Sequence, residues 1–414
     1  METLQDRIIC REDFPFLAQS KIAYLDNAAT TQIPSTVLSA VEAYYRNGAA
    51  NPGRGEYGLN LQVTQLYEQA RERIAAFVGA NAEEIAFTAG TTEGLNTIAQ
   101  AYAAKMLGPG DEVLVTAAEH HSNFLIWQHA CKQAGARLII SPFDANGRLD
   151  WDAFKASVSA KTKIVALAHV SNVLGTVFPI EDVVELSHEY GAKVVLDCAQ
   201  SIGHLPLNLH ALGVDFAAFS GHKMYALSGI GAMYIKQDLI ADTSAFMLGG
   251  GMVDEVWESQ SSYLDNIRKL EAGTPNVVGA ISMAAAADYL DGIGLNSIHN
   301  HEKELTGYLL GCFSEIPDCK VHGIPGNAND RTGIVSFSVK GVHPTDVALA
   351  LDEAGVCIRT GTHCAQPLHR RLGVEQSCRI SLGLYNTFDD LQKAARTLSG
   401  IRESLGRRIL GMFP

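Results

Sequence analysis

Between residues 80 and 240, short apolar runs alternate with polar or glycine-rich breaks and helix-length stretches. That rhythm leaves the chain few folds to choose from. The runs span residues 85–87, 112–115, 137–140, 163–167, 192–196, 216–219 and 232–235. They are nearly continuous in apolarity and do not alternate, so both faces of the sheet they build must be covered. Helical patterns over 61–78, 92–107, 124–134 and 180–190 supply the cover. The expectation is a doubly wound α/β domain on a mainly parallel, seven-stranded sheet.

After about residue 280 the texture changes. A small-residue helix (279–290) leads into a charged one (299–313). Strands at 333–338 and 378–382 flank a helix at 344–353, and a last helix covers 389–405. This predicts a smaller C-terminal α/β domain. The expected division is an arm over 1–20 packing on the small domain, a large domain over 21–280 and a small one over 281–414.

Composition removes several function classes. The chain has 414 residues, 47% apolar and 19% charged, which excludes a disordered protein. Its 45 acidic against 32 basic residues give a net charge of −13, a surface that repels nucleic acid phosphates. The start, Met1-Glu-Thr-Leu-Gln-Asp-Arg7, shows no secretory pattern. Residues 277–290 are too short a stretch to span a bilayer, so a cytoplasmic location without a membrane partner is expected. Eight cysteines are scattered without C-x-x-C or zinc-finger spacing, so no metal site is expected. His299-Asn-His301-Glu302 reads as an exposed helix start.

In open α/β sheets ligands bind beyond the carboxyl ends of the strands, so the residues after each run carry the chemistry. After Phe87 comes Thr88-Ala-Gly90-Thr91-Thr92-Glu93, a turn opening a helix, which serves as a helix cap or a phosphate cradle. After Val115 comes Glu119-His120-His121-Ser122-Asn123, and after Leu167 comes His169-Val-Ser-Asn172. Asp197-Cys-Ala-Gln200 follows Leu196; a buried carboxylate there is costly without a cation. Ser220-Gly-His222-Lys223 follows Phe219, and a lysine there loses solvation and falls toward a nucleophilic pKa. An amine, a carboxylate, a histidine and a phosphate turn on one sheet edge are what pyridoxal phosphate requires. The alternative of a dinucleotide fold lacks a G-x-G-x-x-G opening a helix after a strand.

Asp197-x-x-Gln200 with Ser220-x-His222-Lys223 resembles the class-V aminotransferase group, of the pyridoxal-phosphate fold type I. Glu119-His-His-Ser-Asn123, Glu271-Ala-Gly-Thr-Pro-Asn276 and Arg359-Thr-Gly-Thr-His-Cys-Ala-Gln-Pro367 narrow the resemblance to cysteine desulfurases of the SufS/CsdA type, which include selenocysteine lyases. It runs from Tyr24-Leu-Asp-Asn-Ala-Ala-Thr30 to Leu384-Tyr-Asn-Thr387, nearly the whole chain.

The resemblance implies that Lys223 binds pyridoxal phosphate covalently, Asp197 pairs with the pyridine nitrogen, Gln200 approaches the ring hydroxyl and His120 stacks on the ring. It implies that Thr91, Thr92, Ser220 and His222 hold the phosphate, with Thr274 contributed by the partner subunit of a homodimer. For the substrate, L-cysteine or L-selenocysteine, it implies Arg379 on the carboxylate, Asn172 nearby, and Arg359 and Arg54 at the mouth. Cys364 is then the nucleophile that becomes a persulfide, its thiolate favoured by His363 and Arg359. A nucleophile on so short a tether implies slow turnover and a SufE- or SufU-like sulfur acceptor, in the service of iron–sulfur cluster assembly.

Three departures stand out: Gly53 where such proteins commonly carry His, Met224-Tyr-Ala-Leu-Ser-Gly-Ile-Gly231 without the usual Gly-Pro, and Thr362 before His363. The other readings are a selenocysteine lyase, a class-V aminotransferase in which Cys364 is incidental, and a cysteine hydrolase using Cys364 with His363. The last is disfavoured because neighbours on an extended segment point to opposite faces.

Overall fold

A computed structural model of the chain describes residues 11–53, 55–144, 146–324 and 330–401. All seven apolar runs are strands of one sheet, ordered Ile85–Thr88, Gly231–Ile235, Phe216–Ser220, Lys193–Asp197, Thr162–Ala168, Glu112–Thr116 and Arg137–Ser141. Pairing is parallel except around Gly231–Ile235, which runs against both of its neighbours. Thr88, Thr116, Ala168, Asp197 and Ser220 therefore end on one edge, the edge where Gly231 begins.

Period-2 geometry sends successive side chains to opposite faces. Leu114, Val165, Leu167, Val194, Leu196 and Phe219 enter one core with helices Gly58–Phe77, Ile180–Glu189 and Val277–Ile293. Val113, Val115, Ile164, Val195, Phe216 and Met233 enter the other, under helices Thr91–Ile98 and His121–Ala134. The helix expected over 92–107 is not uniform. A wide π turn, Ala99–Ala103, interrupts it and sets Tyr102 against Phe216 with ring centroids 4.7 Å apart.

A second, antiparallel sheet is ordered Cys319–Val321, Ile334–Val339, Ser377–Ser381 and Arg359–Gly361. Helices Leu295–Ser314, Pro344–Glu353 and Phe388–Ser399 pack on it around Leu309, Phe313, Phe337, Leu351 and Leu391. The expected boundary at 280/281 falls inside the helix Val277–Ile293, whose buried face belongs to the first core; the change of core comes after it. Ala23 and Leu25 also lie in the smaller core, because Ala23–Tyr24 pairs in parallel with Val356–Cys357. The described part of the N-terminal arm bridges both units. Arg11 reaches Asp390 at 3.6 Å, while Phe14 inserts against Tyr225 and Tyr385. Residues 1–10, 54 and 402–414 lie outside the described residues.

No single described helix is long and apolar enough to cross a membrane. The one pair that passes jointly, Val277–Ile293 with Leu295–Ser314, bends by 73°.

Candidate active site

The carboxyl edge of the large sheet opens into a cavity of about 210 Å³ between the two sheets. Its walls carry Lys223, Asp197, Gln200, His120, Thr91, Thr92, Ser220, His222, Asn172, Arg359, Arg379 and Cys364, residues drawn from seven separate segments of the sequence. Two expected site residues are not among these walls. Thr274 lines a separate cavity with Gly53, Tyr67, Arg71 and Glu271, and Arg54 lies outside the described residues.

The strand ends set the amine and the carboxylate. Asp197 is the last residue of its strand, and the Ala199 N–H donates to its Oδ1 at 2.9 Å. Burial pushes this carboxyl up, opposed by that N–H and by the Lys223 ammonium. Lys223 ends the 3₁₀ turn Gly221–Lys223 after the neighbouring strand, and Thr31 Oγ1 donates to the His222 carbonyl at 3.1 Å. Burial pulls Lys223 down to about 8, with Asp197 acting against the fall.

The hydroxyl turn is built by close approach. The Thr91 N–H donates to Ser220 Oγ at 2.8 Å, and the two hydroxyls lie 2.6 Å apart. Thr92 and Ser122 hydroxyls are 2.7 Å apart. A Cβ on Gly231 would lie 2.6 Å from the Gly90 Cα, so only glycine lets the turn close onto the strand end. His120 caps the helix His121–Ala134, its Nδ1 accepting the Ser122 N–H at 3.1 Å. Burial, then the Lys223 charge, pulls this ring down to about 3 and keeps it neutral. Beneath it Glu119 is fully buried, accepts from Thr116 Oγ1 and Asn123 Nδ2, and is pushed up to about 8 by burial.

The smaller sheet supplies the opposite wall. Arg359 and Arg379 stand directly across from each other in the antiparallel ladder, so both side chains leave one face. Arg379 Nη1 donates to the Asn172 carbonyl and Nη2 to Asp26 Oδ1, both at 3.0 Å, while its buried Nε–H has no acceptor. Asp26 was not picked out as a site residue from the sequence, although it lies just past the short strand Ala23–Tyr24. Cys364 lies in a turn in which His363 and Cys364 both have left-handed backbones, φ 49° and 55°. His363 does not lend this thiol the positive charge expected of it: burial and the Arg379 guanidinium hold its ring down to about 2, hence neutral. Arg359 and Arg379 are the guanidinium cations that line the cavity with Cys364. His369 and Ser377, which hydrogen-bond behind His363, left no signal in the sequence.

The departure after Lys223 is accommodated. The Tyr225 N–H donates to Thr31 Oγ1 at 2.9 Å and the Leu227 N–H to Ser282 Oγ at 3.3 Å, so the loop after Lys223 is anchored without Gly-Pro. Thr274 sits on a segment fixed by Glu271, which takes two bonds from Arg71, at 2.6 and 2.8 Å, and one from the Phe87 N–H at 2.6 Å.

Comparison with known proteins fits this arrangement. The aminotransferase class-V family pattern matches residues 23–394. A probable cysteine desulfurase of Halalkalibacterium halodurans is 42% identical over 95% of this chain and 97% of its own length. The structure of a cysteine desulfurase from Thermococcus onnurineus NA1, at 34% identity, superposes with a TM-score of 0.91 over 95% of this chain and 97% of that one. The cysteine desulfurase CsdA of Escherichia coli, also at 34% identity, superposes with a TM-score of 0.89 over 96% of this chain and 98% of that one.

Proposed function

The chain belongs to the class-V aminotransferase family, and from that premise we propose that it is a pyridoxal-phosphate-dependent cysteine desulfurase, converting L-cysteine to L-alanine and leaving a persulfide on Cys364. The observation that carries the reading is one cavity holding Lys223 and Asp197 at strand ends, a hydroxyl turn at one side and Arg379 with Cys364 at the other.

The donor set fits the cofactor. Lys223 would hold it covalently, Asp197 would face its ring nitrogen as the counter-charge that burial demands, and the Thr91–Ser220 turn with Thr92 and His222 would hold its phosphate. Gln200 and His120 would meet the ring hydroxyl and the ring face. When bound, pyridoxal phosphate supplies an electron sink that acidifies the substrate Cα–H.

The remaining chemistry falls to the chain. Arg379, pre-set by Asp26 and the Asn172 carbonyl, holds the substrate carboxylate and has the Nε–H to spare. Arg359 adds positive charge beside it. Lys223, near 8, moves the proton at Cα as base and then as acid. The Cys364 Sγ attacks the substrate Sγ, the carbon–sulfur bond breaks, and sulfur stays on Cys364. Cysteine rather than selenocysteine is the substrate named for the relatives.

Three further parts belong to the proposal. The working form is a homodimer, because Thr274, with Asn51, Pro52 and Gly53, lines a cavity of its own that a partner's phosphate site would complete. Exposed Leu248 and Trp257 come just before and after the cavity-lining pair Gly250 and Gly251 in the sequence. The sulfur leaves through a SufE- or SufU-like acceptor for iron–sulfur cluster assembly, since Cys364 is held at the wall and cannot carry sulfur far. The location is cytoplasmic, in keeping with seven free cysteines among the described residues.

The test is an absorbance spectrum before and after adding L-cysteine, with alanine assayed. A visible band that shifts, with alanine formed, is expected; Cys364→Ala keeps the shift and loses the alanine. A protein that stays colourless after reconstitution refutes the assignment of Lys223 and Asp197.

A further inference from the structure

If Cys364 is the nucleophile of the reaction proposed above, on which this inference rests, its thiol proton needs an acceptor, and the loop that carries it offers one. His363 and Cys364 line the same cavity. Successive residues point to opposite faces only on an extended segment, and the two left-handed backbones here form a turn instead. That turn is clamped: Asn172 Nδ2 donates to the His363 carbonyl and the His121 N–H to the Cys364 carbonyl, both at 2.7 Å.

Behind it a hydrogen-bond chain assigns the tautomers. His369 Nδ1 lies 3.0 Å from the Ala365 carbonyl, which only accepts, so Nδ1 carries the proton and Nε2 is bare. Ser377 Oγ lies 3.0 Å from that Nε2 and must donate to it. The Ser377 oxygen then accepts from His363 Nε2 at 3.1 Å. His363 Nδ1 is left with a free lone pair, buried and without a hydrogen-bond partner.

We propose that His363 Nδ1 takes the proton of Cys364, and that Ser377 and His369 are positioning residues that hold His363 in the tautomer able to take it. The Sγ–H bond breaks with its electron pair left on sulfur, and the proton goes to Nδ1. The Nε2 proton passes to Ser377 Oγ, and the hydroxyl proton passes to His369 Nε2. His369 ends as the cation, lining an outer cavity of about 410 Å³ with Gln366, Arg370 and Glu375. Burial and the neighbouring Arg379, His369 and Arg359 all oppose the charge on His363, whereas at His369 burial opposes it and the Ala365 carbonyl favours it.

The measurement is the rate at which iodoacetamide alkylates Cys364 in the full-length holoenzyme without cysteine, followed by mass spectrometry. It needs no turnover, so its failure leaves the desulfurase assignment standing, and loss of alanine formation leaves this result standing. His363→Gly, which suits a φ of 49°, is expected to slow alkylation by about 10²-fold, with added imidazole restoring the rate. His363→Gln, similar in length but without a basic nitrogen, is expected to be slow as well. Ser377→Ala is expected to be slow and Ser377→Thr, which keeps the hydroxyl, close to the parent. An unchanged rate in His363→Gly or His363→Gln, or a loss that imidazole leaves untouched, overturns the proposal.

Discussion

Lys223 is the residue on which the site turns, and its environment sets when it can react. Burial pulls it from the ordinary lysine value of 10.5 to about 8, and Asp197 limits the fall. A folded-state value below the unfolded one means that the unfolded chain binds more protons between the two, so stability of the cofactor-free protein rises with pH through that window. Only the neutral amine condenses with an aldehyde. The rate of reconstitution with pyridoxal phosphate should therefore climb about tenfold per pH unit below about 8 and level off above it. Asp197→Asn should move the midpoint lower. Stopped-flow absorbance from pH 6 to 10 reads both, and a flat profile contradicts the buried-amine account. Arg379 shows the complementary logic: with Asp26 as counter-ion it is charged and aimed before any substrate arrives.

At the scale of the element, the helix His121–Ala134 does two jobs through one residue. His120 is both its cap and a wall of the cavity. Asn caps helices well and Ala does not, the difference being about 1 kcal/mol. His120→Asn should thus melt close to the parent and yet lose turnover, while His120→Ala should lose turnover and about 1 kcal/mol of stability. Thermal denaturation beside the alanine assay separates the roles; equal melting of the two variants would mean the cap contributes nothing. The antiparallel ladder works similarly for the arginines. Placing Arg359 opposite Arg379 concentrates positive charge on one wall by register alone.

At the scale of the molecule, the cavity exists only because two sheets meet. The large sheet provides Lys223 and Asp197, the small one Arg359 and Arg379, and Arg331 ties them together. This buried guanidinium donates to the carbonyls of Ile324, Leu174 and Ile334, at 3.0, 2.8 and 2.6 Å, linking the Asn172 loop to the smaller sheet. The proposed homodimer is tested beside Thr274, which lines a cavity separate from the active site of its own chain. Charges placed at two exposed apolar residues, as in Leu248→Glu with Trp257→Glu, should yield a monomer by analytical ultracentrifugation, one that releases cofactor faster on dilution. A parent protein that is already monomeric at working concentration, with cofactor retained, would dismiss the dimer.

What the sequence determined by itself was whatever depends on local pattern. Apolar runs of strand length, bounded by turn residues, yielded all seven strands of the large sheet, because burial of both faces writes itself into every position of a run. The strand-end rule then pointed to Asp197, Lys223 and the hydroxyl turn, and motif resemblance added Arg379 and Cys364. The helix Ser35–Asn47, which buries only Val37, and the brief elements Trp151–Ser157 and Arg359–Gly361 escaped that reading, their patterns being mixed. Tertiary structure alone decided what depends on residues distant in the chain. Asp26 meets Arg379 across 353 positions, and Asn172 meets His363 across 191. The left-handed turn at His363 and Cys364 and the neutral state of the His363 ring belong here too. A hydrogen bond or a burial cost arises from neighbours in space, and no spacing along the chain records which neighbours those will be.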